Sequence, residues 1–390
     1  MDRLLAALDA AGGETRFVGG CVRDTLLGLD ASDVDLATRI APEAVIARLE
    51  TARIKAVPTG LAHGTITAVI GGKPVEVTTL RRDVATDGRR ATIAYTEDWR
   101  EDAARRDFTI NALSADPASG EVFDYFEGLA DLEAGRVRFI GDPLQRIAED
   151  HLRILRFFRF HARFGKGAPD EAALAACAAR ANDLMALSRE RIADELRKLL
   201  DLPDPGETVA LMQARGIFAP IVPEIGPDGV AALRRLIRRE ALLHAEPFVP
   251  RRLAALLPRD EAVARAVGAR LRLSNGWRAR IEEYARPSDR VRDPRALVFY
   301  VGRARAGSLL LLDDIDDGAL VEQMARIEGW EPPRFRVRGG DLLKAGVPEG
   351  PIIARTLHAI QTEWVESGFD DGALPDIVRR HVDQALRSSQ

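Results

Sequence analysis

The chain has 390 residues, of which 46% are apolar and 30% charged, with a formal net charge of −4 at neutral pH. That length allows about two to four domains around a sizeable core, and the mild acidity argues against a non-specific DNA coater while leaving room for a local basic patch. No apolar run reaches the ~18 residues of a membrane span, and no basic segment followed by an apolar core opens the sequence, so a soluble cytoplasmic protein is expected.

The first predicted element is a short amphipathic helix over 3–10. An apolar run ending at Phe17 and Val18 follows, then Gly19-Gly20 and the segment CVRDTLLG, with Val22, Leu26 and Leu27 as its helical apolar face. The pattern predicts a strand, a tight glycine turn and a helix start. Such a turn leaves backbone N–H groups free to hold phosphate, and the helix terminus adds partial positive charge. Arg23 on the first turn can reach the same anion with its fork of donors. Asp33 and Asp35 bracket Val34, and a period of two places both carboxylates on one face of a strand with the valine toward the core. Paired carboxylates repel each other unless a cation or proton compensates, and Mg²⁺ prefers carboxylates together with substrate phosphates. A phosphate cradle beside a carboxylate pair predicts phosphoryl or nucleotidyl transfer. Dinucleotide binding has no support, because G-x-G-x-x-G is absent.

Ala41-Pro42-Glu43 opens a helix to about Leu49. Strands are predicted at 53–57, 64–70 and 74–80, with Gly71-Gly72-Lys73 as a hairpin signal, which together indicate a small mixed sheet. Glu76 alternates with Val75 and Val77 and is a candidate third carboxylate. His63, in TGLAHGT, has no metal-partner spacing and is a candidate for touching phosphate or orienting its loop. Residues 81–104 nearly balance their charges, with Arg81, Arg82, Arg89, Arg90 and Arg100 against a similar number of acids, and lack a clean apolar period. A mobile loop is expected there. Arg105, Arg106 and Asp107 then fall at a helix start beside the sheet, where an arginine can reach a triphosphate. Residues 116–140 predict a turn, a short strand or hairpin, a second turn and a last strand, with Gly120, Asp124, Gly128 and Asp131 holding turns and caps. Cys21 and Cys177 match no metal or redox spacing and are expected to be small buried side chains.

From Leu144 the pattern is helical. PLQRIAEDHLRILRFFRFHARFG predicts one helix with Ile147, Leu152, Leu155, Phe158 and Ala162 toward a core and Asp150, Arg153, Arg156 and Arg159 along a polar stripe. Asp150 and Arg153 are expected to hold each other in fixed geometry. An acceptor beside a donor can mimic a base edge; a surface salt-bridged helix is the plain alternative. LSRERIADELRKLL at 187–200 predicts a helix capped by Ser188, with Ile192, Leu196 and Leu199 buried and Glu190 and Glu195 placed for packing against the arginine helix. DLPDPGE at 201–207 is a boundary. Beyond it come short helices, and residues 231–300 carry 16 Arg against 8 Asp or Glu, whereas 311–390 carry 9 Lys or Arg against 15 Asp or Glu. Arg234, Arg235, Arg238, Arg239, Arg251 and Arg252 are expected on helix faces with a nucleic-acid backbone as a fitting partner. PPRFRVRGGDLLKAGVPEGP is a turn-rich basic stretch able to contact phosphate.

GG-x-VRD followed by D-x-D at 19–35, RRDFTINAL at 105–113, EDHLRILRFFRF at 149–160 and SRERIADEL at 188–196 stand in the order in which they occur in a known family. The sequence resembles the class II tRNA nucleotidyltransferases, the CCA-adding enzymes and their bacterial poly(A) polymerase relatives, whose head belongs to the DNA polymerase beta superfamily. The resemblance covers residues 17 to about 200; beyond 210 only helical character and length match. It implies an α+β fold, with a DNA polymerase beta-like head on a small mixed sheet over 1–140, a helical neck with the nucleotide-selecting helix over 141–210, and a helical body and tail binding tRNA over 211–390. By that resemblance Gly20 and Arg23 hold the incoming triphosphate, Asp33 and Asp35 bind two Mg²⁺ ions, and Arg106 contacts the nucleotide. Asp150 and Arg153 select CTP and then ATP, with Arg156 and Arg159 supporting the phosphates or the template helix. The 81–104 segment resembles the flexible element associated with switching from C to A addition. The implied partner is tRNA, held at its 3′ end and elbow, with no membrane and no obligate protein partner; no HD-type metal motif announces an attached phosphohydrolase. The implied activity is stepwise CCA addition, with poly(A) addition or addition of CC or A alone as the alternative. Intact Asp33, Asp35 and Arg23 argue against a non-catalytic RNA-binding protein.

Overall fold

Short strands separated by helices build a sheet in the first third of the chain, and among the described residues that follow, the regular elements are helices. The structure is a computed structural model that describes residues 1–31, 33–87, 90–286 and 293–388. Its strands are β1 (Thr15–Val18), β2 (Asp35–Thr38), β3 (Lys55–Gly60), β4 (Thr65–Ile70), β5 (Lys73–Thr79), β6 (Arg81–Asp87), β7 (Arg90–Tyr95), β8 (Ser114–Ala115) and β9 (Val122–Phe123). Seven of them form one sheet in the order β3-β4-β5-β2-β1-β8-β9, while β6 and β7 pair separately. Every neighbouring pair in the large sheet is antiparallel except β2 and β5, which run parallel with Asp35 opposite Glu76. Gly71 and Gly72 make the two-residue turn between β4 and β5, both at positive φ (57° and 80°), as the twist of a tight hairpin demands.

Helices α1 (Asp2–Ala7) and α3 (Pro42–Thr51) cover one face of the sheet, packing Leu4, Val45 and Leu49 against Leu36, Ile66 and Val77. Between them in sequence lies α2 (Gly20–Leu26), which starts directly after β1. On another side of the sheet Val18, Ala37 and Leu80 meet Trp99 of α4 (Trp99–Ala104). Next come α5 (Gly128–Ala134), α6 (Pro143–Glu149), α7 (Arg153–Phe164), α8 (Glu171–Ala179) and α9 (Arg189–Leu200). The phenylalanines of α7 join Phe108 and Phe139 in one aromatic cluster, with Phe108–Phe139 centroids 4.9 Å apart. The apolar core around this cluster is shared from Cys21 and Val22 in α2 to Ala285. The remaining helices are α10 (Gly206–Ala214), α11 (Pro227–Leu242), α12 (Val249–Leu256), α13 (Glu261–Arg270), α14 (Asn275–Tyr284), α15 (Pro294–Val301), α16 (Arg303–Leu312), α17 (Asp317–Ile327), α18 (Gly339–Lys344), α19 (Pro351–Glu366) and α20 (Leu374–Arg387). Two further cores serve them, one around Leu310, Leu311 and Leu320 and one around Leu342, Ile360 and Trp364.

The α+β organisation with an all-helical remainder is as expected, and both cysteines are buried. So are the turn assignments: Asp124 accepts from the N–H groups of Phe126, Gly128 and Leu129, and buried Asp131 accepts from Thr109, Arg136 and Arg138. Several expectations are corrected. Leu26 and Leu27 are exposed rather than buried, because α2 turns Cys21, Val22, Arg23 and Asp24 inward instead. The expected 81–104 loop is the β6–β7 pair followed by α4; Arg89 lies outside the described residues. Arg105–Asp107 follow the end of α4 rather than opening a helix. The last strand expected near 136–140 is a single bridge, Phe108 to Phe139. The expected single helix over 143–165 is broken, since Asp150 has extended backbone (φ −150°, ψ 106°) between α6 and α7.

Candidate active site

The β1–α2 connection fixes one wall of a cleft. Gly19 sits at φ +73°, a conformation that favours glycine, and a Cβ there would lie 2.8 Å from Nη1 of Arg106. Gly20 then opens α2, a seven-residue helix that carries Arg23 in its last turn rather than its first. The Arg23 guanidinium is buried, donates from Nε to Asp24 Oδ1 at 2.8 Å and from Nη1 to Asn111 Oδ1, and lies over the Phe164 ring at 4.2 Å. Burial pushes its pKa below the usual arginine value.

Asp35 begins β2, with Glu76 beside it on the parallel strand β5. Asp33 lies in the bend before the strand rather than on it, and is exposed. Val34 is half-buried against the core, as alternation predicts. Burial raises the Asp35 pKa, and the negative charges of Glu76 and Asp33 raise it further, while Arg106 opposes them. An acidic group under this strain is relieved by a hard cation, and the donors offered are all oxygens, as Mg²⁺ requires. Among the described residues no cluster of three or more His, Cys, Asp or Glu closes into a ready-made metal cage. A bound ion would therefore complete its shell from water and substrate phosphates, which fits Mg²⁺ chemistry.

Opposite the carboxylates stand Arg106 and Asp107. Arg106 is held by Asp102 at 3.4 Å, and burial lowers its pKa. Asp107 accepts from Asn111 Nδ2 at 2.9 Å and pairs with Arg156 at 2.6 Å. Burial pushes the Asp107 pKa up, but Arg156, Asn111 and the Phe108 N–H outweigh it and hold the carboxyl below the usual range. The run Arg156–Asp107–Asn111–Arg23–Asp24 links α7 to α2 by continuous polar contacts.

The third wall comes from the α6–α7 break. The side chains of Asp150 and Arg153 do not pair with each other, contrary to expectation, although the Arg153 N–H donates to the Asp150 carbonyl at 3.0 Å. Asp150 is instead gripped by Arg191 of α9 at 2.9 and 3.3 Å, while Arg153 pairs with Glu149 at 2.6 Å and donates to the carbonyl of Arg146 at 2.8 Å. Both still line the cleft.

A single cleft of ≈ 420 Å³ is lined by Gly19, Gly20, Arg23, Asp35, Arg106, Asp150, Arg153 and Arg156, with Asp107, Asn111 and Phe160 completing it. Asp33 and Glu76 neighbour Asp35 outside this lining. Arg159 does not line it, because its guanidinium pairs with buried Glu195 of α9 at 2.6 Å. This pairing is the packing against α9 that the sequence predicts for Glu195, whereas Glu190 pairs with Arg272 at 2.6 Å. His63 lies in a 3-10 turn, and its carbonyl accepts from the Arg81 side chain. Sequence reasoning missed Asp102, Asn111 and Arg191, whose positions follow no period; only their membership of charged or polar motifs marks them.

Far from the cleft, the arginine pairs are corrected as well. Arg239, Arg251 and Arg252 are buried, not displayed. Arg251 and Arg252 both pair with buried Glu240, at 2.6 and 2.7 Å, and Arg239 donates to backbone carbonyls around 311–315. Arg234 pairs with Glu207 and Arg235 with Asp314, while Arg238 is exposed.

Comparison with known proteins matches residues 15–138 to the Poly A polymerase head domain and 168–228 to the probable RNA and SrmB-binding site of polymerase A. The mitochondrial CCA tRNA nucleotidyltransferase 1 of Mus musculus is 34% identical over 374 residues, covering 91% of this chain and 84% of that protein. The CCA-adding enzyme of Lacticaseibacillus paracasei is 30% identical over 415 residues, covering 99% and 96%. Among solved structures, the Bacillus stearothermophilus CCA-adding enzyme in complex with CTP superposes with a TM-score of 0.75 at 26% identity, covering 99% of this chain and 98% of that one.

Proposed function

The chain belongs to the CCA-adding enzyme family of RNA nucleotidyltransferases, and from that membership we propose that it adds C, C and A stepwise to the 3′ end of tRNA, using CTP and ATP and releasing pyrophosphate. The observation that carries this reading is the shared cleft, with phosphate-type groups (the Gly19-Gly20 turn, Arg23, Arg106) and Asp35 on the head side and an acceptor and donor, Asp150 and Arg153, on the neck side. The CTP bound in the Bacillus stearothermophilus relative supports CTP as a substrate here.

In this reading the glycine turn, Arg23 and Arg106 bind the triphosphate and hold it for in-line displacement by the tRNA 3′-oxygen. Two Mg²⁺ ions, held by Asp33 and Asp35 with Glu76 beside them, would lower the pKa of that hydroxyl and neutralise the phosphates. Asp150 and Arg153 present their hydrogen-bonding edge to the base, so that G and U are left with unmet polar groups. Arg191, Glu149 and the Arg146 carbonyl fix that edge. Arg156 and Arg159 brace α7, the first through Asp107 and the second through Glu195.

Residues 1–140 act as catalytic head, 141–210 as nucleotide-selecting neck, and 211–390 as tRNA-binding body and tail. The tail's contribution rests on the extended segment before α18, where Phe335 and Val337 turn toward the Trp364 core while Arg334, Arg336 and Arg338 are exposed. Alternation puts these cations on one side, about 6.6 Å apart, suited to successive backbone phosphates of tRNA at its elbow. The test offers tRNA lacking its 3′ CCA with Mg²⁺ and each nucleoside triphosphate, singly and together. Addition stopping after C, C and A is expected; an extended A tract or addition of C alone would overturn the reading.

A further inference from the structure

The β6–β7 pair emerges from the sheet at Arg81, one residue after buried Leu80, and returns at Tyr95 and Thr96, whose N–H donates to the Leu80 carbonyl at 3.0 Å. Asp98 caps α4, accepting from the Arg100 N–H at 2.8 Å, and the helix ends one residue before Arg105 and two before Arg106. The root of the β6–β7 pair and the cleft arginine are thus joined through a six-residue helix. On that helix sits Asp102, 3% exposed. One of its oxygens, Oδ1, accepts from the backbone N–H of Arg81 at 3.2 Å and from Nε of Arg105 at 2.9 Å. The other, Oδ2, pairs with Nη2 of Arg106 at 3.4 Å.

We propose that Asp102 is a positioning residue that ties the root of the β6–β7 pair to Arg106, so that the stance of this pair and the nucleotide-facing guanidinium are set together. Arg106 passes within van der Waals reach of Gly19, where no side chain intervenes, so its path into the cleft is narrow. A long arginine side chain loses much rotamer freedom when fixed. A buried carboxylate that also grips a backbone N–H supplies a fixed anchor for it, stronger than a neutral acceptor would be. Because both Asp102 oxygens are in use, a shift of Arg81 relative to α4 displaces the same carboxylate that orients Arg106. The inference deepens the reading of the cleft as the nucleotide site and rests on it.

Asp102→Asn keeps the shape and an acceptor for the Arg81 N–H but removes the charge. Expected results are a rise of about tenfold or more in KM for both CTP and ATP, a change in kcat below about threefold, unchanged tRNA affinity, and partial recovery in Asp102→Glu. KM values within about twofold of the parent in a folded variant would overturn the proposal, as would KM and kcat worsening together with Tm and no recovery in Asp102→Glu. Hydrogen exchange on the unaltered protein decides the matter even where the variant does not fold. Saturating CTP should slow exchange of the Arg81 amide at least about threefold, and an unchanged rate would overturn the coupling. CTP and ATP binding measured by calorimetry separates the two levels of failure. If neither nucleotide binds the unaltered protein, the functional reading falls and the coupling with it; if they bind and the Arg81 amide is indifferent, the coupling alone falls.

Discussion

Asp35 carries the electrostatic cost of the site. Its folded-state pKa is raised by burial and by Glu76 and Asp33, so the native protein binds a proton there at pH values where the unfolded chain has released it. Stability of the metal-free protein therefore falls as pH rises from the ordinary carboxylate range through the raised value. Asp35→Asn is expected to raise Tm at neutral pH, to give no gain below the ordinary carboxylate range, and to abolish nucleotide incorporation. A lowered Tm at neutral pH would show that the carboxylate is a net structural asset. Alternation around Val75 and Val77 was enough to single out Glu76. Its partnership with Asp35 was not legible, because a parallel pair has no turn between its strands to announce the register. Asp33 was legible as a type but was expected on the strand, whereas it lies two residues before β2, since the bend preceding the strand leaves no pattern in the residues.

At the scale of elements, the break between α6 and α7 matters most. Apolar positions continue at helical spacing across it, and no proline or glycine interrupts the sequence from 144 to 164, so the sequence pattern reads as one helix. The break turns Asp150 toward α9, where Arg191 holds it. Arg191→Ala frees the carboxylate to rotate, and discrimination against UTP and GTP should drop by about tenfold while tRNA affinity holds; unchanged discrimination would reject Arg191 as the support of the base-reading edge. The β6–β7 pair escaped notice for a different reason. Its sequences, RRDVATD and RATIAY, mix charged, small and polar residues without a strict apolar alternation, so the period-two signal that marks a half-buried strand is missing. By contrast β4, β5 and the glycine turn between them were readable directly, having both the apolar alternation and the Gly-Gly signal.

Across the whole molecule the arginines divide between surface and interior, and composition cannot tell them apart, because a fully buried arginine is rare. The structure puts Arg251 and Arg252 of α12 around Glu240 of α11, buried between the two helices. Glu240→Ala would strand two buried guanidinium groups and is expected to cost about 3–5 kcal/mol, read from chemical denaturation. A loss below about 1 kcal/mol would mean that backbone carbonyls alone satisfy both arginines. Glu240→Gln should recover part of the loss by keeping an acceptor in place. The head motifs and the order of helices were legible over long distances. What was not legible was which helix faces meet, since that depends on tertiary contacts that local period does not encode.

The apolar core running unbroken from Cys21 in α2 to Ala285 has a mechanical consequence. Its members lie behind facing walls of the cleft, Val22 and Phe108 under the side of the Gly19-Gly20 turn and Phe157 and Phe158 under the side of the α6–α7 break. Separating those walls as rigid bodies would tear apart packed aromatic rings, so the cleft behaves as a vice whose jaws are cast in one piece. Any accommodation to one base or another must then be made by the side chains at its mouth and by what is hung from its rim, not by the jaws themselves.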